Sequence, residues 1–145
     1  MSNKEDEYRE IFLAEALDNY ESINRLLTAF EKNSHDKNTI HALFRITHTL
    51  KGNAAGMGFQ SIAEISHVLE DLFAEVRDGH IAMDTELFNS VYKAVDVLGN
   101  LVNAVRDKTE VKYKGIKTKL EVLIKRVKHA ETGEARIQHD PISEH

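Results

Sequence analysis

The sequence predicts an all-α fold, an antiparallel up-down four-helix bundle with an additional fifth helix on its C-terminal side. Three observations carry this expectation. The 145 residues hold a single proline, Pro141, so nothing forces a helix to break before the C-terminus. Apolar residues recur at three- and four-residue steps through five stretches, whereas the strict alternation of a half-buried strand is nearly absent. The first four stretches are amphipathic and joined by short segments, which brings successive helices back antiparallel.

The first helix is expected over Lys4 to Lys32, with Tyr8, Phe12, Ala16, Ile23, Leu27 and Phe30 on one face. Asp36 can cap a second helix carrying Ile40, Leu43, Phe44, Thr47, Leu50 and Ala54, which ends at Gly56-Met57-Gly58. A third opens at Ser61-Ile62-Ala63-Glu64, which has the form of a capping box, and carries Ile65, Leu69, Leu72, Phe73 and Val76 to a stop at Asp78-Gly79. Asp84 caps a fourth with Leu87, Val91, Ala94, Leu98, Leu101, Val102 and Val105 inward, and a fifth carries Ile116, Leu120, Leu123, Ile124 and Val127. From Glu131 the periodicity is lost, so residues 1–130 read as one domain and 131–145 as a disordered tail or the start of an interdomain linker.

Composition excludes several classes of function. With no cysteine, disulfides and thiolate metal sites are ruled out. The formal charge is −5, and residues 1–110 hold 11 Lys/Arg against 19 Asp/Glu. An acidic body of this kind is unsuited to nucleic acid, whose binding needs a concentrated positive surface. No apolar run is long enough to span a bilayer and the N-terminus lacks signal-peptide character, so a cytoplasmic protein without membrane insertion is expected. The apolar stripes are used within the bundle, and a monomer follows.

Chemistry concentrates in the second helix. At 100° per residue, His48 lies roughly 120° from the centre of the apolar stripe and should face solvent. His41, Arg45, Gly52, Ala55 and Gly56 share that outer side, which is therefore stripped of side-chain bulk toward its C-terminal end. A glycine inside a helix costs about 1 kcal/mol relative to alanine. Gly52 has two explanations: clearance for a docking partner, or close packing of a neighbouring helix. Lys51 sits between His48 and the stripe, where its stem can lie on the bundle while the ammonium reaches out to a group on His48.

In the third helix, His67 and Glu70 stand one turn apart, Glu70 also roughly 120° from its own stripe. Around a turn at Gly58, His48 and Glu70 fall at nearly the same height. Their wheel angles make them neighbours for one hand of the bundle and separate them for the other, and the helical pattern does not choose. As neighbours, a carboxylate would accept the Nδ1 proton of the imidazole and leave the Nε2 lone pair outward. Only a neutral ring nitrogen attacks phosphorus, and an ordinary imidazole, with a pKa of about 6.5, is mostly neutral near pH 7. Considered singly, an exposed helical histidine is most often an ordinary surface residue.

The run Leu43-Phe44-Arg45-Ile46-Thr47-His48-Thr49-Leu50-Lys51-Gly52-Asn53-Ala54-Ala55-Gly56-Met57-Gly58-Phe59, followed by His67-Val68-Leu69-Glu70, resembles the histidine phosphotransfer (HPt) signature. It is most similar to the version at the N-terminus of CheA-type chemotaxis histidine kinases. The resemblance implies a five-helix domain in which His48 is the phosphoacceptor, Lys51 supports its reactivity, and His67 and Glu70 belong to the hydrogen-bonding network around it. It makes Gly52 the clearance glycine and sets Glu70 beside the acceptor, the hand that the wheel left open. It also implies partners: the ATP-binding catalytic domain of a CheA-type kinase as donor and the receiver domain of a response regulator as acceptor. ATP and Mg would be bound by those partner domains, with no cofactor in this chain. A stand-alone phosphotransfer protein is the alternative within this class. The alternatives outside it are a pure interaction module docking partners through the small-residue patch around Gly52 and Ala55, and a metal-binding helical bundle, disfavoured because the inward stripes hold no ligand set.

Overall fold

A computed structural model describes residues 3–139 of the chain, with side chains described as far as Val127. Five helices are present among the described residues: α1 (Asn3–Lys32), α2 (Lys37–Met57), α3 (Gln60–Arg77), α4 (Thr85–Asp107) and α5 (Lys114–His139). α1 packs on α2 and α4, α3 packs on α2 and α4, and α5 lies against α3 and α4. The first four helices thus close a ring around one core, and the fifth covers an outer edge, as the sequence predicts.

Local chemistry explains most of the boundaries. The Asp36 carboxylate accepts from the backbone N–H of Asn38 at 2.9 Å and of Thr39 at 3.3 Å, which satisfies two orphan donors of α2. Asp84 does the same for Leu87 at 2.8 Å. α2 stops at Gly58, whose φ of +83° is the left-handed conformation that glycine adopts without a Cβ penalty. The capping box expected at Ser61 does not form: α3 begins one residue earlier, with Phe59 at the cap and no side-chain cap bond. Gly58 turns the chain so tightly that the Phe59 N–H returns 2.9 Å to Ala54 O, and its ring packs on Phe12, centroids 5.0 Å apart.

The α5 backbone stays helical to His139, past Glu131 where a tail or linker was expected. Losing the apolar stripe removes a reason to pack but not the capacity for helix, and Ala130, Glu131, Glu134, Ala135, Arg136 and Gln138 are strong helix formers. The rest of the expected tail, 140–145, lies outside the described residues.

The core is continuous, with Phe30, Phe73, Leu43, Leu50, Leu69 and Leu98 among its fully enclosed side chains. Tyr8, assigned to the apolar face of α1, is instead 58% exposed. It lies in the first turns of α1 and borders a groove against the C-terminal end of α2. Among the described residues no helix is long and apolar enough to cross a membrane.

Candidate functional site

The site straddles the antiparallel pair α2 and α3. Its frame is the buried face of α2, where Leu43, Thr47, Leu50 and Ala54 point into the core. Thr47 is polar but fully enclosed, and its hydroxyl donates back to Leu43 O at 2.9 Å and Phe44 O at 3.0 Å. That satisfies the hydroxyl within its own helix. The next residue, His48, is turned outward, with 62% of its side chain exposed.

His48 Nδ1 donates to Glu70 Oε2 across the helix pair. Lys51 Nζ lies 2.6 Å from the other oxygen, Oε1. The Glu70 side chain is 9% exposed, so its charge is held between two cationic or proton-donating partners and largely shielded from water. Burial pushes the Glu70 carboxyl up, but hydrogen bonds from Lys51 and His48, with their charges, outweigh it and hold the carboxyl below its ordinary value. Glu70 is therefore ionised at neutral pH and acts as a fixed acceptor for the Nδ1 proton. With Nδ1 carrying hydrogen, the free lone pair of a neutral ring is on Nε2, facing solvent.

Two expectations about orientation are corrected. Glu70 is not on an outer rim but buried, because α3 packs against three helices and the side chains of His48 and Lys51 close over its carboxylate. The Lys51 ammonium turns inward to Glu70 instead of reaching out beyond His48, since a buried carboxylate attracts it more strongly than water does. His67 is the residue the structure leaves outside the cluster. Its side chain is 58% exposed, its Nε2 lies 3.6 Å from Asp71 one turn along α3, and no hydrogen bond or ion pair joins it to His48, Lys51 or Glu70.

Gly52, Ala55 and Gly56 are exposed beside the imidazole on α2. A Cβ built at Gly52 or Gly56 meets nothing within 4 Å. Close packing of a neighbouring helix therefore does not explain Gly52. The two glycines open a groove of about 340 Å³ whose walls include Tyr8, Ile11 and Met57, with Tyr8 and Ile11 more than half exposed. One neighbour of His48 went unread in the sequence: Phe44, whose ring stacks on the imidazole and is itself covered by Arg77. The four-residue step from Phe44 to His48 was the available signal. Among the described residues no three His, Asp or Glu side chains converge as a metal site would require.

An exposed imidazole backed by an enclosed carboxylate on the central hairpin of a helical bundle is an arrangement that can be compared with known proteins. The profile of the Hpt domain family matches residues 7–108, which span α1 to α4 and the whole site. The chain belongs to the Hpt domain family. This Hpt domain is 29% identical over 102 residues to the chemotaxis protein CheA of Bacillus subtilis (strain 168), covering 70% of the chain and 15% of that relative. The chain thus spans about a seventh of the length of such relatives.

Solved structures agree with the sequence match. The CheA phosphotransferase domain from Thermotoga maritima superposes with a TM-score of 0.66 at 32% identity, over 72% of this chain and 98% of that one. The phosphorylated P1 domain of CheA3 in complex with CheY6 from R. sphaeroides superposes with a TM-score of 0.74 at 25% identity, over 84% of this chain and 98% of that one.

Proposed function

We propose that this Hpt domain is a phosphoryl carrier, accepting the group on Nε2 of His48 from the ATP-binding domain of a CheA-type histidine kinase and passing it to an aspartate of a response regulator receiver. The observation that carries the reading is the hydrogen bond from His48 Nδ1 to the enclosed Glu70 carboxylate, on a ring otherwise open to solvent. In the forward step the Nε2 lone pair attacks the γ-phosphorus of ATP, a P–N bond forms, the P–O bond to ADP breaks, and ADP leaves. The ring then carries positive charge with both nitrogens substituted, and Glu70 stabilises it through the Nδ1 proton. In the second step an aspartate oxygen attacks the same phosphorus, the P–N bond breaks, and the ring returns to neutral.

ATP, metal and most of the charge stabilisation belong to the partner domains in this reading. Lys51 holds Glu70 ionised and inward, and the exposed surface at Gly52, Ala55 and Gly56 lets either partner approach the imidazole. The placement is cytoplasmic chemotaxis-type signalling, supported by the CheA relatives and by the CheA3–CheY6 complex. Incubation with ATP and a CheA-type kinase fragment lacking its own phosphotransfer domain tests it. An acid-labile label that disappears in His48→Gln is expected, and a label that survives this substitution overturns the assignment.

A further inference from the structure

We propose that Phe44, held in place by Arg77, is a positioning residue for His48; the proposal rests on the reading of His48 as phosphoryl acceptor. Glu70 restrains the imidazole through one hydrogen bond at Nδ1. A ring with 62% of its side chain exposed can still tilt about that single contact. Phe44, one turn earlier on α2, supplies a second restraint of a different kind. Its ring lies nearly parallel to the imidazole, with centroids 6.1 Å apart and planes 17° from each other.

Phe44 is itself fixed. It is partly buried against the core, and the guanidinium carbon of Arg77 lies 4.3 Å from its ring centroid. Arg77 is tied to Asp78, with Nε donating to Oδ1 at 3.0 Å and an Nη donating to Oδ2 at 3.4 Å. α3 therefore holds the imidazole twice: directly from its middle through Glu70, and from its last residue through Arg77 and Phe44.

The two restraints do different things. A stacked neighbour fixes the plane of the ring but tolerates a half-turn that exchanges Nδ1 with the carbon opposite. The hydrogen bond to Glu70 distinguishes those two orientations but tolerates tilt. Together they leave one orientation, in which the Nε2 lone pair has a single outward direction. In-line attack on phosphorus depends on such alignment, so loss of the stack lowers the rate of the chemical step without weakening the docking of either partner.

Phe44→Leu, which keeps an apolar side chain, is the direct test, read by nitrogen-resolved NMR of the His48 ring and by labelling kinetics. The expected result is a kcat about three- to tenfold lower, the worth of one aromatic contact, with KM unchanged. In the spectra, the Nδ1-protonated tautomer held by Glu70 should persist while relaxation of the ring signals shows wider tilting, and Phe44→Tyr should restore both readouts. Arg77→Ala, on an exposed residue, should move both in the same direction by less, and it decides the matter if Phe44→Leu does not fold. Wild-type ring mobility and kcat in folded Phe44→Leu, or in Arg77→Ala where only that variant folds, overturn the proposal. Absence of label on the wild type would sink the acceptor reading instead, and the ring spectra would still decide whether Phe44 positions His48.

Discussion

His48 on α2 and Glu70 on α3 stand at the same height of the central hairpin, ten and twelve residues from Gly58, and are joined by a hydrogen bond from Nδ1 to Oε2. The relationship is asymmetric: the donor ring is mostly exposed and the acceptor carboxylate mostly buried. The buried charge orients the ring, and the exposed ring presents its other nitrogen to solvent.

Replacing Glu70 by Gln keeps the size and a hydrogen-bond acceptor but removes the charge that stabilises the ring once it is phosphorylated. Initial rates of labelling should fall about tenfold or more, equivalent to at least ~1.4 kcal/mol of transition-state stabilisation. The labelled residue should remain His48, which peptide mapping of the product checks.

The same carboxylate gives stability a pH dependence. Its pKa is below the ordinary 4.5 in the folded state because the Lys51 and His48 bonds outweigh burial. A depressed folded value means stabilisation that is fully present above the unfolded pKa and is lost as pH falls through the folded one. The stability difference between wild type and Glu70→Gln should therefore be constant near neutrality and narrow as the pH drops below 4.5. Urea unfolding of both proteins along an acid series measures this.

Gly52→Ala separates folding from docking. The new Cβ meets nothing within 4 Å, and alanine is the better helix former, so stability should rise by about 0.5–1 kcal/mol. Phosphoryl transfer to a receiver domain should nevertheless slow, because the methyl occupies the clearance beside His48. Thermal unfolding together with transfer kinetics tests the pair of effects, and a stabilised variant with wild-type transfer would remove the clearance role.

Gly99 is the opposite case. A Cβ there would lie 2.5 Å from Cζ of Tyr20, where α4 meets α1. The ring end must swing aside, an overpacking cost of about 1–3 kcal/mol that exceeds the helix-propensity gain. Gly99→Ala should be destabilising by about 1 kcal/mol, and in a Tyr20→Ala background the same substitution should turn stabilising. A double-mutant cycle by denaturant unfolding reads the reversal.

What the sequence disclosed was local. Asp36 and Asp84 cap their helices because a short carboxylate bonds backbone two or three residues on, and that chemistry needs no tertiary information. The outward orientation of His48 followed from helical periodicity alone. The burial of Glu70 did not, since its cover comes from His48 and Lys51 on another helix and depends on the hand of the bundle. Phe59 displaced Ser61 from the cap of α3 for a similar reason: the left-handed Gly58 and the contact with Phe12 fix the chain there before a serine cap can act. His67 shares a helix face with Glu70, yet its nearest charged partner is Asp71 on its own helix.

A phosphoryl carrier must both receive the group on His48 and release it. A chain loaded by kinase and ATP, freed of both, and mixed with a receiver domain and Mg tests this most directly. The acid-labile label should leave His48 and appear on the receiver as a base-labile acyl phosphate, faster than spontaneous hydrolysis. A label that stays on the chain with several receivers, or decays only to inorganic phosphate at the same rate with and without them, would contradict it.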